Sequence, residues 1–364
     1  MAKVIPLFGP KTGLSSNERL EIQLTMEDIS GEWLSTLAFN PPVRPAMYLR
    51  LLKMFPFKGP FPVVEVNSNG SAFLLLAGKF GIPCIALASC ELWFKFNQGL
   101  IEEPDLPVSV LTLQNYSFKL VSLKDFQEVF KPFYTAQTFA DLVNFRSFIG
   151  ALPSRLGSFL KYATALILHG DGSAYLSAPS PSGYSRSWQE QLTFVSSHKA
   201  YPQDRDVVAR VLRKISQLCS LRNNWFKGVY QASLVSISDE KKYPFVFVNL
   251  VKNPLSAPSM QWLRSWWYET PISSQYRFWD GIKNSEYSEN CLILAQSLTF
   301  SNGVICVLSD TSEYENALEL GSTVFASRAQ LVRSVTFLAP KTAIGKNISS
   351  VQGISALFFK KIAD

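Results

Sequence analysis

Phe61-Pro-Val-Val-Glu-Val-Asn-Ser-Asn-Gly-Ser-Ala-Phe-Leu-Leu-Leu-Ala77 is the stretch on which the fold class turns. Residues 61–66 carry a β-branched run and read as a strand. Asn67-Ser-Asn-Gly70 reads as a turn, because Asn and Gly tolerate left-handed backbone. Residues 71–77 are apolar enough for a buried strand or a buried helix. Read as a helix, they give the first half a helical character with an isolated strand.

Toward the start of the chain, Pro6, Gly9, Pro10 and Gly13 break residues 1–14 into an extended arm. Its Val4, Ile5, Leu7 and Phe8 suit a segment that covers a neighbour. Ser15 and Glu18 have capping-box spacing and predict a short helix through Met26. After Pro45, the positions Met47, Leu51, Leu52 and Phe55 recur on one helical face, with Arg50 and Lys53 opposite and Pro56 as the stop.

Toward the end of the chain, residues 122–130, 138–150 and 156–168 read as helices, the second with Leu142, Phe145, Phe148 and Ile149 on its apolar face. Residues 177–187 are rich in serine and proline and read as a linker between two lobes. Asp204 is placed to cap a strongly amphipathic helix through Cys219, with Val207, Val208, Val211, Leu212, Ile215 and Leu218 inward. Arg210, Arg213, Lys214 and Gln217 fall nearer solvent in that reading. Residues 243–251 read as a buried strand, and residues 292–308 as a hairpin about Asn302-Gly303. The pattern predicts a mainly α fold with a smaller β component (α+β). Its expected divisions are 1–30 (arm and first short helix), 31–176 (mainly helical lobe), 177–187 (linker) and 188–364 (helical, then mixed α/β lobe).

Composition points away from chemistry and toward assembly. Only 17% of residues are charged against 47% hydrophobic, and the chain holds eight Trp and twenty-seven Phe. Globular domains carry about 25% charged residues, so much of this subunit's exterior reads as destined for burial. The net charge is +7 and is unevenly spread. No carboxylate lies between Asp206 and Asp239, a window that holds Arg210, Arg213, Lys214, Arg222 and Lys227. Those five side chains are the candidates for a face toward RNA. Glu102, Glu103, Asp105, Asp125, Glu128 and Asp141 make the middle of the first half acidic and outward-facing.

Catalytic templates do not fit. Two histidines and five cysteines occur with no zinc-site spacing. His169-Gly-Asp-Gly-Ser173 holds the residue types of a serine triad, but so close together that a turn is the better reading. Gly78-Lys-Phe-Gly81 and Gly345-Lys346 lack the rest of a phosphate loop. The expectation is therefore no enzyme, with no catalytic residue, metal or cofactor. An odd number of unpatterned cysteines suits reduced thiols in a cytosolic compartment. The longest apolar stretch, residues 80–90, contains Pro83 and falls well short of the ~20 residues a bilayer requires, so no membrane partner is expected.

The remaining signal is aromatic. Trp262, Trp266 and Trp267, followed by Tyr276 and Trp279 around Arg277, are candidates for a subunit interface, where aromatic and Arg side chains concentrate. Stacking on RNA bases competes with that reading. The run from Arg205 through Trp225-Phe-Lys-Gly228, the block Trp262-Leu-Arg-Ser-Trp-Trp267, and Tyr276-Arg-Phe-Trp-Asp280 resemble coat proteins of partitiviruses, small double-stranded RNA viruses. The resemblance covers about residues 140–340. It implies a helical capsid subunit that dimerises and self-assembles into an icosahedral shell around double-stranded RNA, accompanied by a viral polymerase, in the virion and host cytoplasm. The alternative is a nucleoprotein of a segmented negative-strand RNA virus that encapsidates single-stranded RNA, with residues 177–187 as interlobe hinge.

Overall fold

The computed structural model describes residues 19–23, 43, 45–54, 61–68, 72–102, 106–117, 126–170, 172–179, 188–222, 228–234, 241–251, 258–270, 285–338 and 353–362. They are about 53% helical and 21% strand, a mainly α fold with a smaller β part. The strands are β1 (Arg19–Gln23), β2 (Val63–Val66), β3 (Cys84–Ala88), β4 (Tyr230–Leu234), β5 (Tyr243–Asn249), β6 (Thr299–Asp310), β7 (Ala329–Leu338) and β8 (Ile354–Lys361). They form one sheet in the order β1-β7-β8-β6-β5-β2-β3-β4. β4, β3, β2, β5 and β6 are parallel neighbours, β1 runs parallel to β7, and β8 is antiparallel to both β6 and β7.

The helices are α1 (Pro45–Met54), α2 (Ala72–Phe80), α3 (Glu91–Ile101), α4 (Leu106–Gln114), α5 (Ala136–Gly150), α6 (Ser154–Ala165), α7 (Trp188–His198), α8 (Val207–Arg222), α9 (Pro258–Tyr268), α10 (Ser285–Leu298) and α11 (Tyr314–Phe325). Because strand side chains alternate, the central strands feed two cores. Val63, Cys84, Ala86, Phe245, Phe247, Cys306 and Phe358 join a large core with residues of α1, α2, α3, α5, α6, α8 and α9. Val64, Val66, Ile85, Val246, Val248, Ile305, Val307 and Leu357 join a smaller one with α10 and α11. The sheet is therefore covered on both faces, as its near-continuous apolar strands require.

Helix α2 confirms the helical reading of residues 71–77: every residue from Ala72 to Gly78 is buried. The close approach of α3 to α6 depends on Gly99, where an added Cβ would lie 2.5 Å from Tyr162 Cβ and 2.6 Å from the Ser158 carbonyl oxygen.

Several expectations are corrected. Residues 19–23 form a strand where a helix is predicted, since β7 supplies a parallel partner that overrides the local cap signal. The described part of residues 122–130 is turn, with backbone bonds such as Phe130 N to the Gln127 carbonyl. Residues 292–298 belong to α10, and 299–310 run as one strand instead of a hairpin. Asn302 does take a left-handed φ of 65°. It does so within extra residues of β6, where the register against β5 jumps from Tyr243–Thr299 to Phe245–Val304.

The cap of α8 is Asp206, whose Oδ1 accepts from Ala209 N at 2.9 Å; Asp204 instead accepts from Thr135 Oγ1 at 2.5 Å. The two-lobe division at residues 177–187 does not describe the sheet, because β2 pairs with β5 and β3 with β4 across it. At the start of that segment Ser177 and Ala178 are buried, Ala178 N donating to the Phe133 carbonyl at 2.7 Å. The arm at residues 1–14 lies outside the described residues.

Candidate functional site

The order of the strands locates the site. From β2 the chain moves outward through β3 to β4, then returns to lay β5 on the other side of β2. In open α/β sheets such a reversal leaves a crevice outside the carboxyl ends of the strands, where ligands bind. The residues at that end are Asn67 and Ser68 after β2, Ser89, Cys90 and Glu91 after β3, and Asn249 closing β5.

These side chains and their neighbours form a connected polar set. Asn67 adopts φ 64°, a conformation usually left to glycine, and so turns the chain sharply off β2. Its Nδ2 donates to the Asn249 carbonyl at 2.5 Å, and its Oδ1 accepts from Tyr287 Oη of α10 at 3.0 Å. Asn249 Nδ2 donates to Tyr48 Oη at 3.4 Å, and Asn249 Oδ1 accepts from Val251 N at 3.2 Å. Tyr48 in turn donates to the Glu65 carboxyl. Ser68 is held by Asn97 of α3, whose Nδ2 donates to its carbonyl at 3.1 Å and to its Oγ at 3.2 Å. The crevice floor is thus fixed from both helical layers at once.

Burial pushes the Tyr48 hydroxyl well above its ordinary range, and the Glu65 charge adds to this. Burial likewise raises the Tyr287, Cys90 and Cys291 groups beside the crevice. These hydroxyls and thiols are protonated near neutral pH and act as hydrogen-bonding groups, with no thiolate nucleophile among them. Glu91, the first residue of α3, is about half exposed and pairs with Lys95 at 2.8 Å.

The residues singled out for RNA and for subunit contact fall elsewhere. On α8, Arg213 is exposed, while Arg210 is half-buried with Nε donating to the Ser173 carbonyl at 3.3 Å. Lys214 does not face solvent: it is 8% exposed and donates to Gln217 Oε1 at 3.1 Å. Its position completes the inward stripe of Val207, Val211 and Leu218, spaced four, three and four residues apart. Burial lowers its ammonium to about 8. Arg222 closes α8, and Lys227 lies outside the described residues. Nor is the start of α8 purely positive. Burial, then the charges of Asp206 and Asp204, raise the Asp141 carboxyl, so three acids gather there.

Trp262 and Trp266 do share one helical face, both packing on Phe130 at 5.2 and 5.1 Å between ring centroids. Arg146 lies 4.6 Å over the Trp266 ring. Trp267 is corrected from interface to core: it is 0% exposed, and its Nε1 donates to the Lys161 carbonyl at 2.9 Å. Tyr276 and Trp279 lie outside the described residues. His169, from the turn read in place of a triad, meets Ser177, which lies beyond that turn, at 2.7 Å. The Ser177 hydroxyl also lies 2.9 Å from the Ala178 carbonyl, within reach of a hydrogen bond to it.

Among the described residues, no group of three His, Cys, Asp or Glu side chains is placed to hold a metal ion, and no helix is long and apolar enough to cross a membrane. Sequence reasoning missed Tyr48, Asn249 and Tyr287 altogether. One signal was available, since Glu65 is a lone acid inside the buried run Val63-Val64-Glu65-Val66. No protein-family model matches the chain, and no curated protein matches it.

Proposed function

We propose that the chain binds a nucleoside-bearing cofactor in the crevice between β2 and β5, and that the cofactor is S-adenosylmethionine. The observation that carries this reading is the strand order β4-β3-β2-β5-β6-β8-β7, with β8 alone antiparallel. By analogy of fold, that arrangement is shared by methyltransferases that use this cofactor. The crevice residues fit such a molecule. The left-handed Asn67 turns the backbone off β2 before α2 begins, as a cofactor loop requires. Glu91 follows β3 where an acid accepts from ribose hydroxyls, about twenty residues beyond the turn. The loop departs from the glycine-rich pattern, since Asn67-Ser-Asn-Gly70 holds one glycine. When bound, the cofactor would supply an activated methyl group; Asn67, Ser68 and Glu91 would hold and orient it.

Isothermal titration with S-adenosylhomocysteine tests the reading. Saturable micromolar binding is expected, weakened at least tenfold by Glu91→Gln. An absence of saturation up to about 1 mM, a free energy of only about −4 kcal/mol, would remove it.

A shell subunit of the partitivirus type, with RNA inside, is the second reading. Leu111 on α4 and Tyr201 before α8 favour it, being 61% and 60% exposed on the helical side of the molecule. Negative-stain microscopy separates the two: closed particles support the shell, dispersed small ones the cofactor-binding protein. Beaded filaments would support the nucleoprotein alternative.

A further inference from the structure

The end of the sheet opposite the crevice collects exposed apolar side chains. Phe61 before β2, Phe80 before β3, Val229 before β4 and Ile362 after β8 are 46%, 51%, 61% and 56% exposed. Because β8 runs antiparallel, its last residues lie beside the starts of β6 and β7, as the pairs Val304–Lys360 and Ala329–Lys361 record. Phe61 meets Phe300 at the start of β6 edge-to-face, with ring centroids 5.4 Å apart. Val229 to Ile362 spans five strand spacings, roughly 24 Å.

Cations are interleaved along the same rim. Lys79, Lys241, Arg328 and Lys360 are exposed there, and Ile362 N donates to the Arg328 carbonyl at 2.8 Å. Residues 61–63, 79–84, 228–230, 241–243, 299–304, 326–329 and 360–362 contain no Asp or Glu. Of the nearest acids in sequence, Asp239, Glu240 and Asp364 lie outside the described residues and Glu65 is buried. Two further lysines turn inward: Lys361 donates to the Gln296 and Thr299 carbonyls, and Lys242 to the Ser297 carbonyl.

We propose that this rim is a docking surface for single-stranded RNA, whose bases stack on Phe61 and Phe80 while its phosphates meet Lys79, Lys241, Arg328 and Lys360. Solvent-facing rings separated by cations offer what an unpaired strand brings, π-faces at intervals along an anionic backbone. A second copy of the chain presenting the same rim would set like charges against each other. The site stands at the opposite end of the sheet from the cofactor crevice and holds whether or not the cofactor reading does.

Fluorescence anisotropy of the whole chain with a fluorescein-labelled oligouridylate of about twelve nucleotides tests this. Four cations at about −0.7 each predict a slope of about −3 in log affinity against log salt. Phe61→Ala and Phe80→Ala should each weaken binding about tenfold. Lys79→Gln with Lys360→Gln should flatten the slope by about 1.4. These side chains are exposed, the two rings by about half, so the variants should stay folded with only small losses in melting temperature. Arg210→Gln with Arg213→Gln on α8 should leave binding intact. The proposal is overturned by absent binding, by ring variants that bind like the parent, by loss confined to the α8 pair, or by equal affinity for a duplex of the same length.

Discussion

The two faces of the sheet come from the same strands in alternation, yet they bury different chemistry. The face covered by α1, α2, α3, α5, α6, α8 and α9 packs ring on ring: Tyr48, Phe73 and Phe247 meet at 5.1 to 5.2 Å, and Phe139 stacks on Trp266 at 5.4 Å. It also encloses Glu65, Lys214 and Arg264. The face covered by α10 and α11 is mostly aliphatic, with Leu292, Leu294, Leu298, Ile305 and Val307, and carries fewer rings, among them Phe325 on Phe359 at 4.9 Å. Its buried cation Lys361 reaches the carbonyls at the end of α10, where positive charge is favourable. Apolar burial is the main contribution on the thin face. On the thick one, buried polar groups depend on specific partners, and loss of a partner costs more than loss of area.

Five substitutions would break or sharpen that contrast. Trp267→Ala should be the most damaging, at about 4 kcal/mol by denaturant unfolding, because it empties a fully buried indole site and removes the indole bond to the Lys161 carbonyl. Leu292→Ala on the thin face should cost about 3 kcal/mol; a larger loss than Trp267→Ala would reverse the ranking of the faces.

Next is Tyr48→Phe, expected to cost about 2 kcal/mol by leaving the Glu65 carboxyl short of a donor. Adding Glu65→Gln to it should recover part of that loss, and full additivity would show that the pair is not coupled.

Lys214→Met should stabilise the fold by on the order of 2 kcal/mol at pH 7. The folded state holds this ammonium at about 8, below its unfolded value of 10.5, so charge on Lys214 opposes folding at low pH. The parent should therefore gain stability between about pH 8 and 10.5, and the variant should lack that rise. Smallest is Ile293→Ser on the exposed side of α10, expected to change stability by less than about 0.5 kcal/mol.

Local structure was legible wherever burial is continuous along the chain. The strand at 63–66 and the helix from Ala72, the inward stripe of α8, and the strand at 243–249 follow from apolar runs that no tertiary partner needed to override. Signals at the ends of elements misled. Asn302-Gly303 does place a left-handed residue, but whether it reverses a chain or bulges a strand depends on the neighbouring strand β5. The sheet as a whole was illegible, because its central pairs join residues such as Val64 and Val246 across a serine- and proline-rich stretch that reads as a boundary. The crevice was hidden for the same reason: Tyr48, Asn67, Asn249 and Tyr287 are brought together only by strand order. Aromatic content was correctly noticed but assigned outward, whereas Trp267 shows that rings here also fill a thick interior.

The placement of β8 has a consequence for synthesis. β8, which follows both of its partners in the chain, sits third from one edge of the described sheet, wedged between β6 and β7. Until residue 361 has left the ribosome, β6 keeps an open hydrogen-bonding edge, and β7, with β1 paired on it, has nothing to attach to. A nascent chain waiting in that state carries unpaired apolar strands, the condition in which aggregation competes with folding.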